Sequence, residues 1–197
     1  MSEIVGLIGF CSSRNSIISK LISFFRKDFI SYNFIPSHSF VILGQIGNEP
    51  ILGESVEPFN RLCPLEKYTS NMSKYIELWE ITNKDLSAKL NAAEKMLPFI
   101  GKTYGYIQLI GYIIPWLANK LGFRFSNPID NPQEIVCAEY VWLFLRNLGY
   151  SDSDLMNMKQ DDIAPDTILN SFVNNSNCRK VAVKAYDSAE LVWSNVD

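Results

Sequence analysis

The chain has 197 residues, 47% hydrophobic and 20% charged, a composition that suits one globular domain with a substantial core. Its net charge of -3, with no dense run of lysine or arginine, gives nucleic-acid binding no electrostatic support. Four scattered cysteines (Cys11, Cys63, Cys137, Cys178), no Cys-x-x-Cys pair and a single histidine argue against a disulfide framework or a structural zinc site, and no cofactor is expected.

The N-terminus lacks a basic lead-in followed by a secretory apolar core. The most apolar segment, Tyr106 to Leu121, is interrupted by Gly111 and Pro115 and is shorter than the roughly 20 residues that span a bilayer. The expectation is a soluble, cytoplasmic protein.

In chain order, Ile4 to Phe10 predicts a buried strand, and Ser12, Ser13 and Asn15 are candidate caps for the next element. Ile17, Ile18, Leu21, Ile22 and Phe25 predict an amphipathic helix ending near Arg26 and Lys27. Asp28 to Pro36 predicts a loop carrying Phe29, Tyr32 and Phe34. Ser37-His38-Ser39 opens a strand over Phe40 to Leu43, Gln45 to Pro50 is a turn, and Ile51 to Val56 returns, giving a hairpin from His38 to Glu57. Pro58 to Pro64 predicts irregular chain and Tyr75 to Ile81 a third strand.

Thr82 and Asp85 resemble a capping pair. The helix they introduce carries Leu86, Leu90, Ala93, Met96, Leu97 and Ile100 on its apolar face and is closed by Gly101. Thr103 to Phe125 is aromatic and apolar, a short helix or a lid, and Asn127-Pro128 and Asn131-Pro132 mark irregular chain. Val136, Tyr140, Val141, Phe144, Leu145 and Leu148 predict a buried helix ended by Gly149, with Cys137 in its first turn. Next come a helical turn at Asp152 to Met158 and a helix from Thr167 to Phe172 behind Ala164-Pro165-Asp166. Arg179 to Tyr186 predicts a strand, and Ala189 to Trp193 an extension of the sheet. The pattern is α+β: an antiparallel sheet with helices packed against it.

Two residues carry the candidate chemistry. A thiol at a helix start feels the positive end of the helix dipole, which favours thiolate. On this helix alone, though, a buried core cysteine is the preferred reading of Cys137. His38, the sole histidine, is the one side chain suited to take a proton near neutral pH. A base needs an acceptor on its other ring nitrogen. A hairpin turn centred on Gly47 sets His38 opposite Val56, with Glu54 its diagonal neighbour on the same face, roughly 7–8 Å away. A slip by one residue turns Glu54 to the other face and substitutes Ser55 or Glu57. Glu139 points away from the thiol and suits a cap on its own helix. Cys11, Cys63 and Cys178 have the settings of packing or surface thiols.

Five segments in order, Ser37-His38-Ser39, Gly53-Glu54-Ser55, Gly101-Lys102-Thr103-Tyr104, Cys137-Ala138-Glu139-Tyr140-Val141 and Ala164-Pro165-Asp166, make the chain from Val5 to Phe172 resemble a circularly permuted papain-like hydrolase of the NlpC superfamily, the YiiX/YaeF-like amidases. The resemblance implies a single permuted papain-like domain over 1–197, a small half-barrel of antiparallel strands packed on helices that include the nucleophile helix. It makes Cys137 the nucleophile, His38 the base and Glu54 the orienting residue, with Tyr104 and Ser39 as substrate contacts. Ala138 stands where the family often has Ser. The implied activity is cysteine-dependent cleavage of an amide bond in a peptide or related substrate. The alternatives are acyl transfer or ester hydrolysis on a lipid substrate, and a non-catalytic binding module on the same fold. The lipid alternative is motivated by 106–121 as an exposed lid able to touch a membrane; a segment that simply covers the core is the preferred reading.

Overall fold

The computed structural model describes residues 4–15, 34–105, 134–160 and 163–194. The predicted helix at 17–25, most of the 28–36 loop and the apolar 106–121 segment lie outside them.

Seven strands form one sheet, paired antiparallel throughout, with helices packed against it. They are β1 (Ile8–Ser13), β2 (His38–Ile46), β3 (Glu49–Ser55), β4 (Asn60–Pro64), β5 (Lys74–Ile81), β6 (Cys178–Lys184) and β7 (Val192–Trp193), in the order β4-β3-β2-β1-β5-β6-β7. β1 is thus the central strand. The chain meanders outward through β2, β3 and β4, then crosses back to add β5, β6 and β7 on the other side. The described helices are α1 (Glu66–Thr69), α2 (Leu86–Glu94), α3 (Cys137–Leu148), α4 (Ser153–Asn157) and α5 (Pro165–Val173). Among the described residues, no helix is long and apolar enough to cross a membrane.

α3 is the centre of the helix layer. The predicted face of Tyr140, Val141, Phe144, Leu145 and Leu148 is buried, and so are Ala138 and Trp142. The indole of Trp142 donates to the Leu155 carbonyl at 3.1 Å, which closes the outer side of α3 beneath α4. Gly149 ends the helix at φ 67°, and the amide of Tyr150 then returns to the Leu145 carbonyl at 3.0 Å. A second core lies on the opposite face of the sheet, built from Cys11, Phe40, Ile42, Leu52, Cys63 and Ile76 with Leu65 and Tyr68. Side chains from alternate strand positions feed the two cores.

Several expectations are corrected. β1 begins at Ile8, because residues 4–6 form a turn in which Gly6 has φ 83°. Ser12 and Ser13 are therefore strand residues rather than caps, and Cys11 lies inside the strand opposite His38. The stretch read as irregular before Pro64 is an edge strand, β4, where a proline at the last position disrupts no ladder. Asp85 alone caps α2, accepting from the Ala88 amide at 2.7 Å, while the Thr82 hydroxyl donates to Asn177. The apolar face predicted for α2 is also rotated. Lys89, Ala92, Ala93 and Met96 are buried, whereas Leu90 and Leu97 are 47% and 50% exposed. Lys89 lays its stem against Gly6 and reaches Glu80 at 3.1 Å, so a charged residue takes a core-facing position by its hydrocarbon. α2 stops at Glu94, and Pro98 lies in the short 3-10 turn Leu97–Phe99 just beyond it.

The β2–β3 ladder contains one irregularity. At the tip, Ile46 pairs with Glu49, Gln45 with Pro50 and Gly44 with Ile51; farther from the turn, Ile42 pairs with Leu52 and Val41 with Gly53. Leu43 is the extra residue of a bulge. Gly53 lets α3 approach β3 closely, since a Cβ there would sit 2.4 Å from Leu43 Cδ1 and 2.6 Å from Tyr140 Oη. Gly53→Ala is therefore expected to lower stability by about 1–3 kcal/mol, read from urea unfolding. An unchanged midpoint would mean that Leu43 and Tyr140 yield at no cost.

Candidate active site

The site is assembled by the β2–β3 hairpin and the start of α3. Its two faces have separate tasks. On the helix-facing side, Ser39 and Ser55 bracket the entry to α3: the Ser39 hydroxyl donates to the Cys137 carbonyl at 3.3 Å, and the Ser55 hydroxyl donates to the Ile135 carbonyl. Both serines are fully buried. The Ser39 hydroxyl is thus spent on the backbone of residue 137, holding the helix start instead of standing open to a substrate. Tyr104 comes beside the same segment, in a parallel bridge with Ile135, and its amide donates to Pro58. Glu139 accepts from the Val136 amide at 3.0 Å, the capping role its position suggests.

On the other side of the hairpin lie His38 and Glu54. His38 Nε2 is 2.9 Å from Glu54 Oε2. Glu54 is fully buried and its two oxygens take two donors each. Oε2 accepts from His38 and the Tyr68 phenol, and Oε1 from Arg61, at 2.9 Å from Nε and 2.8 Å from Nη2, and from the Cys63 thiol at 3.3 Å. A carboxylate without water needs this many donors to stay ionised. Burial works against the charge, but the hydrogen bond and charge of His38, then Tyr68 and Arg61, hold the Glu54 carboxyl well below the usual range. The acceptor fixes a proton on Nε2, which leaves Nδ1 as the basic nitrogen of the neutral ring.

Cys137 is the strongest influence favouring the protonated ring of His38. Burial opposes the imidazolium, yet the Cys137 side chain, followed by Glu54, outweighs it and pushes His38 up to about 9. The remaining thiols are in different settings. Burial pushes Cys11 up to about 12, and burial with the neighbouring Glu54 pushes Cys63 up to about 12. Cys178 is raised by burial as well. Among the described residues, no group of His, Cys, Asp or Glu is arranged to hold a metal ion.

His38 and Glu54 therefore meet, with Cys137 acting electrostatically on the ring, and of the two candidates for the acceptor it is Glu54 that reaches it; Glu57 is exposed. The bulge at Leu43 decides this. Had the tip register run on unbroken, Gly53 would face Ile42, His38 would face Glu57, and Glu54 would turn to the helix side. Sequence reasoning missed Arg61, Cys63 and Tyr68. The first two become legible once β4 is recognised as a strand against β3, where Glu54 pairs with Arg61. Tyr68 sits on a four-residue helix too short to give a periodic signal. No family model, no curated protein and no solved structure matches the chain.

The coupling between His38 and Glu54 has a definite pH signature. The folded pKa of His38 lies above its unfolded value, through Cys137 first and Glu54 second, so the stabilisation to which Glu54 contributes is full below ~6.5 and is lost as pH rises through about 9. The unfolding free-energy gap between wild type and Glu54→Gln should accordingly narrow between those limits, as followed by urea denaturation in a pH series. A gap that stays constant would show that the two groups are not coupled.

Proposed function

We propose that this chain is a cysteine hydrolase that cleaves an amide bond in a peptide or related substrate through a Cys137–His38–Glu54 triad. The single observation that carries this reading is the placement of the sole imidazole. It is held by a buried carboxylate on Nε2 and lies within electrostatic reach of a cysteine at a helix start.

In this mechanism Nδ1 of His38 accepts the Cys137 proton as the sulfur attacks the substrate carbonyl carbon. The tetrahedral oxyanion forms beside the N-terminus of α3, where the backbone amide of Cys137 and the helix dipole favour negative charge. The imidazolium returns the proton to the leaving nitrogen, the C–N bond breaks, and a thioester remains. Water then gives a proton to Nδ1 and attacks the thioester; sulfur leaves as the acid is released, and the site is restored. Glu54 stays ionised and holds the ring. His38 precedes Cys137 in this chain, which fits the permuted papain-like arrangement of the family it resembles. Acyl transfer results if an alcohol or amine replaces the water; the lipid-directed version drew on 106–121, which lies outside the described residues.

The activity is tested by offering wild type and Cys137→Ala peptidyl amides, aminoacyl amides and acyl-lipid esters. Turnover of an amide class that vanishes in Cys137→Ala supports the proposal, and turnover that survives the substitution overturns it. The pH profile adds a second check. Turnover should fall as pH rises through about 9, where the imidazolium that protonates the leaving nitrogen is lost. Alkylation of Cys137 by iodoacetamide needs no such proton and should not fall over that range, and Cys11 and Cys63 should react far more slowly.

A further inference from the structure

We propose that Tyr68 is a positioning residue of this site: it sets the plane of the His38 ring by stacking on it and moderates the hold of Glu54 on that ring by sharing the same carboxylate oxygen. The role deepens the triad reading and rests on it for its catalytic meaning.

The geometry is specific. Tyr68 is buried on α1, and its phenol donates to Glu54 Oε2, the oxygen that also takes His38 Nε2. Its ring lies 5.8 Å from the imidazole with the two planes 6° apart. Phe40 supports it at 5.0 Å, and Lys74 Nζ lies 3.6 Å from the centre of the phenol ring. An imidazole that swung about its own axis would lose both the parallel stack and the Nε2 bond. β2 therefore fixes where the ring is, and Tyr68 with Glu54 fixes how it is turned. The phenol also competes with Nε2–H for the same oxygen, so it withdraws part of the negative charge that holds the imidazolium.

The phenol remains a donor because burial, reinforced by Cys11 and Glu54, pushes its pKa far above the ordinary value. The titratable groups facing this cluster are Cys11 from β1, Glu54 from β3, Arg61 and Cys63 from β4, Lys67 from α1, Lys74 from β5 and Cys137 from α3. Of these, Glu54 is held ionised, while Cys11 and Cys63 are pushed to about 12.

The chain has one histidine, so its ring resonances in the full-length protein report protonation and tautomer with no substrate present. Tyr68→Phe keeps the stack and removes the competing donor. The His38 midpoint should rise above about 9, with the neutral ring still protonated on Nε2. Placing 3-fluorotyrosine at position 68 strengthens the donor at nearly constant shape and should move the midpoint down. Tyr68→Leu removes the stack and should give a mixture of ring tautomers. On any amide substrate that wild type turns over, Tyr68→Phe should lower kcat by about tenfold at unchanged KM. A His38 midpoint and tautomer that stay put in the phenylalanine and fluorotyrosine proteins would overturn the proposal and leave Tyr68 a packing residue. Should Tyr68→Phe fail to fold, the fluorotyrosine protein alone decides. If the resonances shift as expected but no amide is turned over, the positioning role stands and the hydrolase reading fails.

Discussion

One extra residue in one strand governs the geometry of the site. Strand side chains alternate between faces, so a hairpin holding an acid and a base must bring them to the same face or it holds neither. The turn at the tip of β2–β3 sets the wrong parity for His38 and Glu54, and the bulge at Leu43 reverses it. The same reversal brings Ser55 to the helix side beside Ser39, where the two hydroxyls fasten the backbone at residues 135 and 137. Both halves of the site, the imidazole with its carboxylate and the anchored start of α3, thus depend on one irregularity.

The second constraint is electrostatic. Burying an ionised carboxylate is costly, and Glu54 is tolerated because each oxygen takes two donors from three other elements. The second core, beneath the sheet, is what makes this arrangement effective. Phe40, Leu52 and Tyr68 keep water from Glu54, so its charge acts on His38 with little screening. The lowered Glu54 is chiefly this interaction, whereas the raised His38 owes more to Cys137 and only then to Glu54.

Much of this is legible in the sequence, for identifiable reasons. α3 is readable because its apolar residues keep helical spacing and Gly149 punctuates its end. The hairpin is readable from Gly47-Asn48 between two apolar runs. The pairing of His38 with Glu54 and the place of Cys137 at a helix start rest on those two elements, with the choice between Glu54 and Glu57 left to register. The features that escape have no local signature. A bulge at Leu43 is set by how β2 packs on α3 and β3. β4 is a short edge strand flanked by prolines, and α1 has a single turn, so Arg61, Cys63 and Tyr68 enter the site unannounced. α2 misleads because Lys89 buries its stem where an apolar residue is expected, which rotates Leu90 and Leu97 to the surface.

The position of the bulge also divides the hairpin into a part that carries the site and a part that does not. Parity is restored inside the strand, at Leu43, between the turn and the pair formed by Val41 and Gly53. The outer segment, 44–51, projects beyond the bulge, and Ile46 near its tip is 73% exposed. Changes in loop length there leave the alignment of His38 with Glu54 untouched as long as Gly44 still meets Ile51. The tip is therefore the natural point at which to graft a peptide or a tag, at the end of the hairpin away from His38, without disturbing the alignment of the site.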